Sequence, residues 1–190
     1  MKHLTKADYS VSTWSGGTTT QLAIAPEGAV YADRDFLWRI SSATVDLDSS
    51  EFTLLPDYDR LITPLKGEMV LTHNGGSPVS LRPLQVHAFS GADSTHSEGR
   101  CTDFNLMLRK GRCEGSMAPL TLRKGGALPV GISGDTALFY TVSGACRILC
   151  GYETTVLSEG EAFYVNKEDG ALSILADADT VLMMAEIKNL

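Results

Sequence analysis

An all-β chain that folds as two small barrels is what this sequence predicts, on three observations. Short alternating or β-branched runs recur between Gly, Pro, Asp and Asn, while helical periodicity is weak almost throughout. The runs fall into two series, and the series echo one another. LITPLKGEMVLTHNGG (61–76) is matched by LFYTVSGACRILCGYE (138–153), each a strand–Gly–strand unit followed by a turn-marked segment, LRPLQVHAF or LSEGEAFYV. Between the series lies Lys110–Leu128, rich in glycine and basic residues and poor in alternation. A duplicated barrel accounts for this pattern better than one continuous sandwich.

The elements follow in order. Leu4–Tyr9 reads as a helical turn. Phe36–Val45, Glu51–Leu55, Leu61–Leu65, Met69–His73, Val86–Phe89 and Thr102–Leu108 read as the first strand series. His73-Asn-Gly-Gly-Ser77 reads as a hairpin turn, because asparagine and glycine tolerate positive φ. Lys110–Leu128 reads as a connection, partly ordered by Pro119–Leu122. Leu138–Val142, Ala145–Leu149, Thr154–Leu157, Ala162–Val165, Leu172–Leu175 and Val181–Ile187 form the second series. The expected division is a ligand-bearing barrel over 1–111 and a second over 112–190, packed as one unit with room for strand exchange.

Bulk properties exclude several functions. With 23 acidic and 16 basic residues the formal charge is −7, so neither nucleic acid nor an anionic membrane is an expected partner. No run approaches the roughly 18 apolar residues of a membrane span. The first residues have no apolar core or cleavage site of an export signal. The cysteines at 101, 113, 146 and 150 form no C-x-x-C pair, and the expectation is a reduced, cytoplasmic protein. Cys146 and Cys150, four apart on one strand, share a face and read as small core side chains.

Three clusters carry candidate chemistry. In Trp38–Ala43, alternation sets Arg39, Ser41 and Ala43 on the face opposite Trp38, Ile40 and Ser42. With Arg60 on a later strand, Arg39 would line an anion pocket. The bland alternative has Arg60 paired at the surface with Asp57 or Asp59, and Arg39 lying along the exterior. Trp14-Ser-Gly-Gly-Thr-Thr-Thr-Gln21 offers the hydroxyls of Thr18 and Thr19, or is simply a turn entering a strand. In Asp103–Arg109, Asp103, Asn105 and Met107 share a face. Asp103 and Asn105 would orient arginines or read a ligand amide, or else satisfy backbone groups at a strand end. Among the histidines 3, 73, 87 and 96, His87 is the candidate acid–base group.

The repeated units resemble the two motifs of the cupin barrel. In that pattern two histidines and a glutamate bind metal, with a glycine seven residues after the glutamate. Here Arg60 stands seven residues before Gly67, Ala137 seven before Gly144, and Pro83–Ala88 places alanine at the second-motif histidine. No metal triad survives, so neither metal nor other cofactor is expected.

In order, W-x-G-G-T-T, W-R-I-S-x-A-x-V, F-x(3)-P-x(3)-R, F-S-G and D-F-N-L-M-x-R-x-G run over residues 14–111. They are similar to the HutD/Ves family of bacterial bicupins, although Arg109-Lys-Gly replaces Arg-Arg-Gly. The resemblance implies two cupin-type, jelly-roll-like barrels without a cupin metal. It also implies a regulatory role in histidine utilisation through a bound pathway intermediate; the expectation is a non-enzymatic protein that holds a small anion with Arg39, Arg60, Thr18, Thr19, Asn105 and Asp103. Two alternatives remain: a metal-independent isomerase or hydrolase using His87 and Asp103, and a stress protein of the Ves type. An exposed strand edge would allow a homodimer.

Overall fold

A computed structural model describes residues 1–190. Its nineteen strands are β1 Lys2–Leu4, β2 Ser10–Trp14, β3 Gly17–Ala25, β4 Trp38–Val45, β5 Ser49–Glu51, β6 Tyr58–Gly67, β7 Met69–His73, β8 Val79–Leu81, β9 His87–Ser90 and β10 Thr95–Glu98, then β11 Cys101–Arg109, β12 Cys113–Leu122, β13 Ala127–Val130, β14 Thr136–Ser143, β15 Ala145–Cys150, β16 Glu153–Ser158, β17 Ala162–Asn166, β18 Leu172–Ala176 and β19 Thr180–Asn189. Two 3₁₀ turns, Tyr31–Asp33 and Lys167–Asp169, are the only helical pieces. No helix is long and apolar enough to cross a membrane.

The chain forms two compact units. One is Tyr9–Glu114; the other joins Met1–Asp8 to Gly115–Leu190. The first unit pairs a six-stranded sheet, β2-β3-β4-β11-β6-β9, with a four-stranded sheet, β5-β10-β7-β8. Val45 and Ile62 of the larger sheet pack with Met69, Leu71 and Leu81 of the smaller in a shared core. The second unit repeats the plan with β1-β17-β14-β19-β12 and β13-β18-β15-β16. The all-β expectation therefore holds.

Two expectations give way. Leu4–Tyr9 is not helical: β1 pairs with β17 (Lys2↔Tyr164, His3↔Phe163, Leu4↔Ala162), and residues 5–8 form a turn closed by Asp8 N–H donating to Thr5 O at 3.0 Å. The start of the chain is thus a strand of the second unit. Nor is Lys110–Leu128 mainly a connection, since it contains the ten-residue β12. Its Pro119 breaks no ladder because β12 is an edge strand, where a missing N–H is tolerated.

Equivalent hairpins join the sheets in each unit. Gly67 and Gly144 sit at φ +77 and +83, and in both the backbone of another strand crosses close by. A Cβ on Gly67 would lie 2.5 Å from Arg100 O, and one on Gly144 2.2 Å from Asp179 O. Asn74 and Gly75, at φ 53 and 69, make the β7–β8 turn as expected.

Gly144→Ala should therefore cost at least about 2 kcal/mol, from strain plus backbone overlap. Thermal unfolding should show Tm lower by roughly 4–8 °C for a chain of this size. Gly151→Ala, at φ +59 with nothing within 4 Å of its Cβ, should cost clearly less. Equal losses at both sites would show that the close approach at Gly144 is not what selects glycine.

Candidate functional site: a cationic cavity in the first barrel

Between the two sheets of the first unit lies a cavity of about 310 Å³, within the range of small-molecule sites. Its floor follows from strand register. Arg39 on β4, Met107 on β11 and Arg60 on β6 lie side by side in one row across the sheet, with Phe89 of β9 opposite Arg60. The next row inward holds Ser41, Asn105 and Ile62, and the row beyond it Thr19, Ala43 and Asp103. Alternation thus sends Arg39, Arg60, Asp103 and Asn105 into one interior, where all four are buried.

Each arginine is held differently. The Arg39 Nε donates to Gln21 Oε1 at 2.8 Å and its Nη1 to Ser41 Oγ at 3.1 Å. Its guanidinium stacks 4.4 Å from the Tyr31 ring. That ring rides on a loop pinned from below, where Tyr58 Oη donates to Phe36 O (2.9 Å) and Arg34 O (3.0 Å) and the Phe36 and Tyr58 rings stack at 4.3 Å. Arg60 sits over a pair of neighbouring rings, 4.7 Å from Phe52 and 5.2 Å from Phe89, whose centroids are 6.1 Å apart, within the reach of cation–π attraction. Its Nε is buried with no hydrogen-bond partner, and so is Asn105 Oδ1. Both arginines are cations at neutral pH: burial lowers each, Arg60 to about 10.

Asp103 is the third buried charge. Its Oδ1 accepts the Ala43 N–H at 3.3 Å, while the Ser42 hydroxyl goes to its backbone carbonyl at 2.7 Å. Burial pushes the carboxyl up to about 7, against the pull of Arg60, the Ala43 N–H and Arg39. No other charged side chain of the chain is buried, so two cations share one carboxyl whose ionisation burial opposes.

Five of the six expected residues meet here: Arg39, Arg60, Thr19, Asn105 and Asp103 all line the cavity. Thr18 does not. It is exposed on the opposite face of β3, paired with Thr44, because neighbours on a strand point opposite ways. Arg60 does not pair at the surface with the exposed Asp57 or Asp59, nor does Arg39 run along the exterior. Phe52 and Phe89, unassigned in the sequence reading, belong to F-x(3)-P-x(3)-R and F-S-G, so their motifs carried the signal. Gln21 closes the Trp14–Gln21 cluster but was given no role there, and Tyr31 lies outside any patterned run and had no signal. At the rim, the Trp14 ring folds over Gly16, where a Cβ would lie 2.2 Å from it.

His87 lies outside this lining. Its Nε2 meets His73 Nε2 at 2.9 Å, and His73 Nδ1 meets Thr95 Oγ1 at 2.9 Å; burial, then His73, lowers the His87 pKa. The pairing of His87 with Asp103 as proton handlers is not assembled. A cupin metal does not fit the donor set either: Arg60 stands in the glutamate position, and no three of His, Cys, Asp and Glu converge. All four cysteines are buried, and none is in a disulfide.

The second unit answers the same plan with an apolar filling. Ala137, the counterpart of Arg60, packs with Phe139, Cys146, Ile148, Leu157, Phe163 and Ile174 in one cluster. Cys146 and Cys150 are core side chains, as expected.

A chain of two such β-barrels, one hollow and cationic and one filled, is a bicupin, and the comparisons agree. A conserved protein of unknown function from Pseudomonas aeruginosa PAO1 superposes with a TM-score of 0.87, at 25% identity over 98% of each chain. HutD of Pseudomonas fluorescens SBW25 gives 0.79, at 24% identity over 100% of this chain and 98% of that one. A nickel-bound bacterial pirin from Escherichia coli gives 0.71 at 12% identity, covering 100% and 98%, a likeness of fold alone. The family model described as HutD matches residues 6–184, and the chain belongs to the HutD family. Protein Ves of Cronobacter sakazakii is 34% identical over 110 residues, 54% of this chain and 58% of that protein. That match spans little more than half the length of the curated relative. The family match, unlike the motif series ending at residue 111, runs through the second barrel.

A raised carboxyl pKa has a defined signature. In the unfolded chain Asp103 ionises near 3.9, so its ionisation penalises the folded state progressively from about pH 4 to pH 7 and fully above that. Asp103→Asn keeps an acceptor for Ala43 N–H without the charge. Its Tm should match the wild type near pH 4 and exceed it by at least about 3 °C at pH 8. A variant less stable at pH 8 would mean that the arginines need the carboxylate more than burial opposes it.

Proposed function

We propose that the protein binds a small anionic metabolite in its first barrel, without catalysing a reaction on it. The observation that carries this is two buried guanidinium groups facing one cavity that has a single buried carboxyl, Asp103, in its lining. Burying a cation without a partner costs several kcal/mol, and an anionic ligand recovers that cost through charge-assisted hydrogen bonds. Arg60 Nε is an unused donor and Asn105 Oδ1 an unused acceptor. A carboxylate that also bears an N–H satisfies both. Tyr31, Thr19 and Ser41 line the remaining wall.

Membership in the HutD family makes the intermediates of histidine utilisation the first compounds to try: formylglutamate, formiminoglutamate and urocanate. Binding one of them would let the protein report on that pathway as a regulator, in the cytoplasm. All three bring both a carboxylate and an N–H, and formiminoglutamate and formylglutamate bring a second carboxylate.

Calorimetric titration with these acids tests the reading, and Arg60→Met sharpens it. Each charged contact contributes on the order of 1.5–3 kcal/mol, so Arg39→Ala/Arg60→Ala should weaken binding by at least about a hundredfold. Arg60→Met, which replaces an unpaired buried cation with an apolar chain of similar length, should lose affinity while its Tm rises. A residue kept for the fold would behave the opposite way. Unchanged affinity in the double variant would remove both arginines from the site.

A further inference from the structure

We infer that Asp103 sets the charge of the anion that the first barrel accepts: ionised, it shares the two arginines with a monoanion, and protonated, it leaves both to a dianion. This rests on the anion-binding reading above and specifies the ligand class of the same cavity.

The geometry makes Asp103 a competitor rather than a fixed partner. It stands opposite Ala43 on β4 and Pro64 on β6, so neither flanking strand sets a cation directly across from it. The arginines are rooted beside Met107, four residues along β11, a distance of about 13 Å at strand rise. Their heads reach back into the cavity that Asp103 also lines. The one hydrogen bond to its side chain is the long one from Ala43 N–H. Ionised, Asp103 leaves the buried cluster with one net positive charge; protonated, with two. A buried charge is stable only when balanced, so the two forms favour ligands that differ by one unit.

The other ionisable groups facing this space are placed differently. Cys101, two residues earlier on the same face of β11, has its thiol pushed up to about 12 by burial and by Asp103, and stays neutral. Glu51, on β5 at the rim, is exposed and hydrogen-bonded to His96 Nδ1 at 2.6 Å. Tyr31 contributes its ring to Arg39. Arg39 and Arg60 remain cations near neutrality. Asp103, held near 7 by burial, is the group that populates both forms.

Succinate and its monoamide succinamate have the same length and differ by one charge, so they serve as probes. In the wild type, the affinity ratio of succinate to succinamate should fall at least about tenfold between roughly pH 6.5 and pH 9. In Asp103→Asn the ratio should keep its low-pH value at both. A pH-independent ratio in the wild type, or a variant that tracks the wild type, overturns the assignment while leaving the anion site standing. If neither probe binds the wild type, the anion reading itself fails and this inference falls with it. Should the variant not fold, the wild type still decides. Succinate titrated near pH 7.5 in buffers of different ionisation heat should show net proton uptake, and zero uptake overturns the proposal.

Discussion

Arg60 is a cation held indoors by two aromatic rings instead of a counter-ion, and most of the first barrel can be traced to that arrangement. A guanidinium with a buried, unpaired Nε cannot be closed over by apolar side chains, because its desolvation would go unanswered. The barrel therefore stays hollow around it. Phe52 and Phe89, packed against one another, both face the guanidinium. Gln21, Ser41 and Tyr31 fix its companion Arg39. The pinning of the Tyr31 loop through Tyr58 then keeps the second cation from swinging away. Preorganisation of this kind lowers the ordering cost a ligand would face.

The two barrels show the trade between stability and an interior that can hold something. Position for position, Arg60 in β6 answers to Ala137 in β14, each seven residues before the hairpin glycine. One faces a polar cavity; the other is wholly enclosed in a cluster of aliphatic, aromatic and thiol side chains. A fully buried aliphatic side chain contributes about 1.5–3 kcal/mol. The first barrel forgoes several such side chains along its inner rows, where Ser41, Asn105, Asp103 and Thr19 stand instead. In the first barrel this position holds an internal cation, whereas in the second it is part of an apolar core.

How much of this was legible in the sequence depended on which side chains line the interior. Strands whose inner face is apolar announce themselves, by an apolar run in Leu138–Val142 within β14 and by alternation in Ala145–Leu149 within β15. β2 and β3 do not, because their inward residues Ser12, Thr19 and Gln21 are as polar as their outward ones. Hydrophobic alternation fails wherever a cavity replaces a core. The facing of Arg39, Ser41 and Ala43, and of Asp103, Asn105 and Met107, followed from period two alone. Choosing Thr19 over Thr18 required the β3–β4 register. β12 was obscured by Gly115 and Pro119, which an edge strand tolerates. The start of the chain gave no hint that it pairs with β17 some 160 residues away, since one strand's sequence does not name its partner.

The central claim is that the first barrel is built around a site for negative charge, and a crystal soaked in bromide tests it most directly. The account predicts an anomalous peak inside the barrel, within hydrogen-bonding reach of Arg60 Nε and the Arg39 guanidinium, with Phe52 and Phe89 still packed against Arg60. Bromide found only at exterior lysines and arginines, with the Arg60 head turned out to solvent or bonded to Asp103, would contradict it.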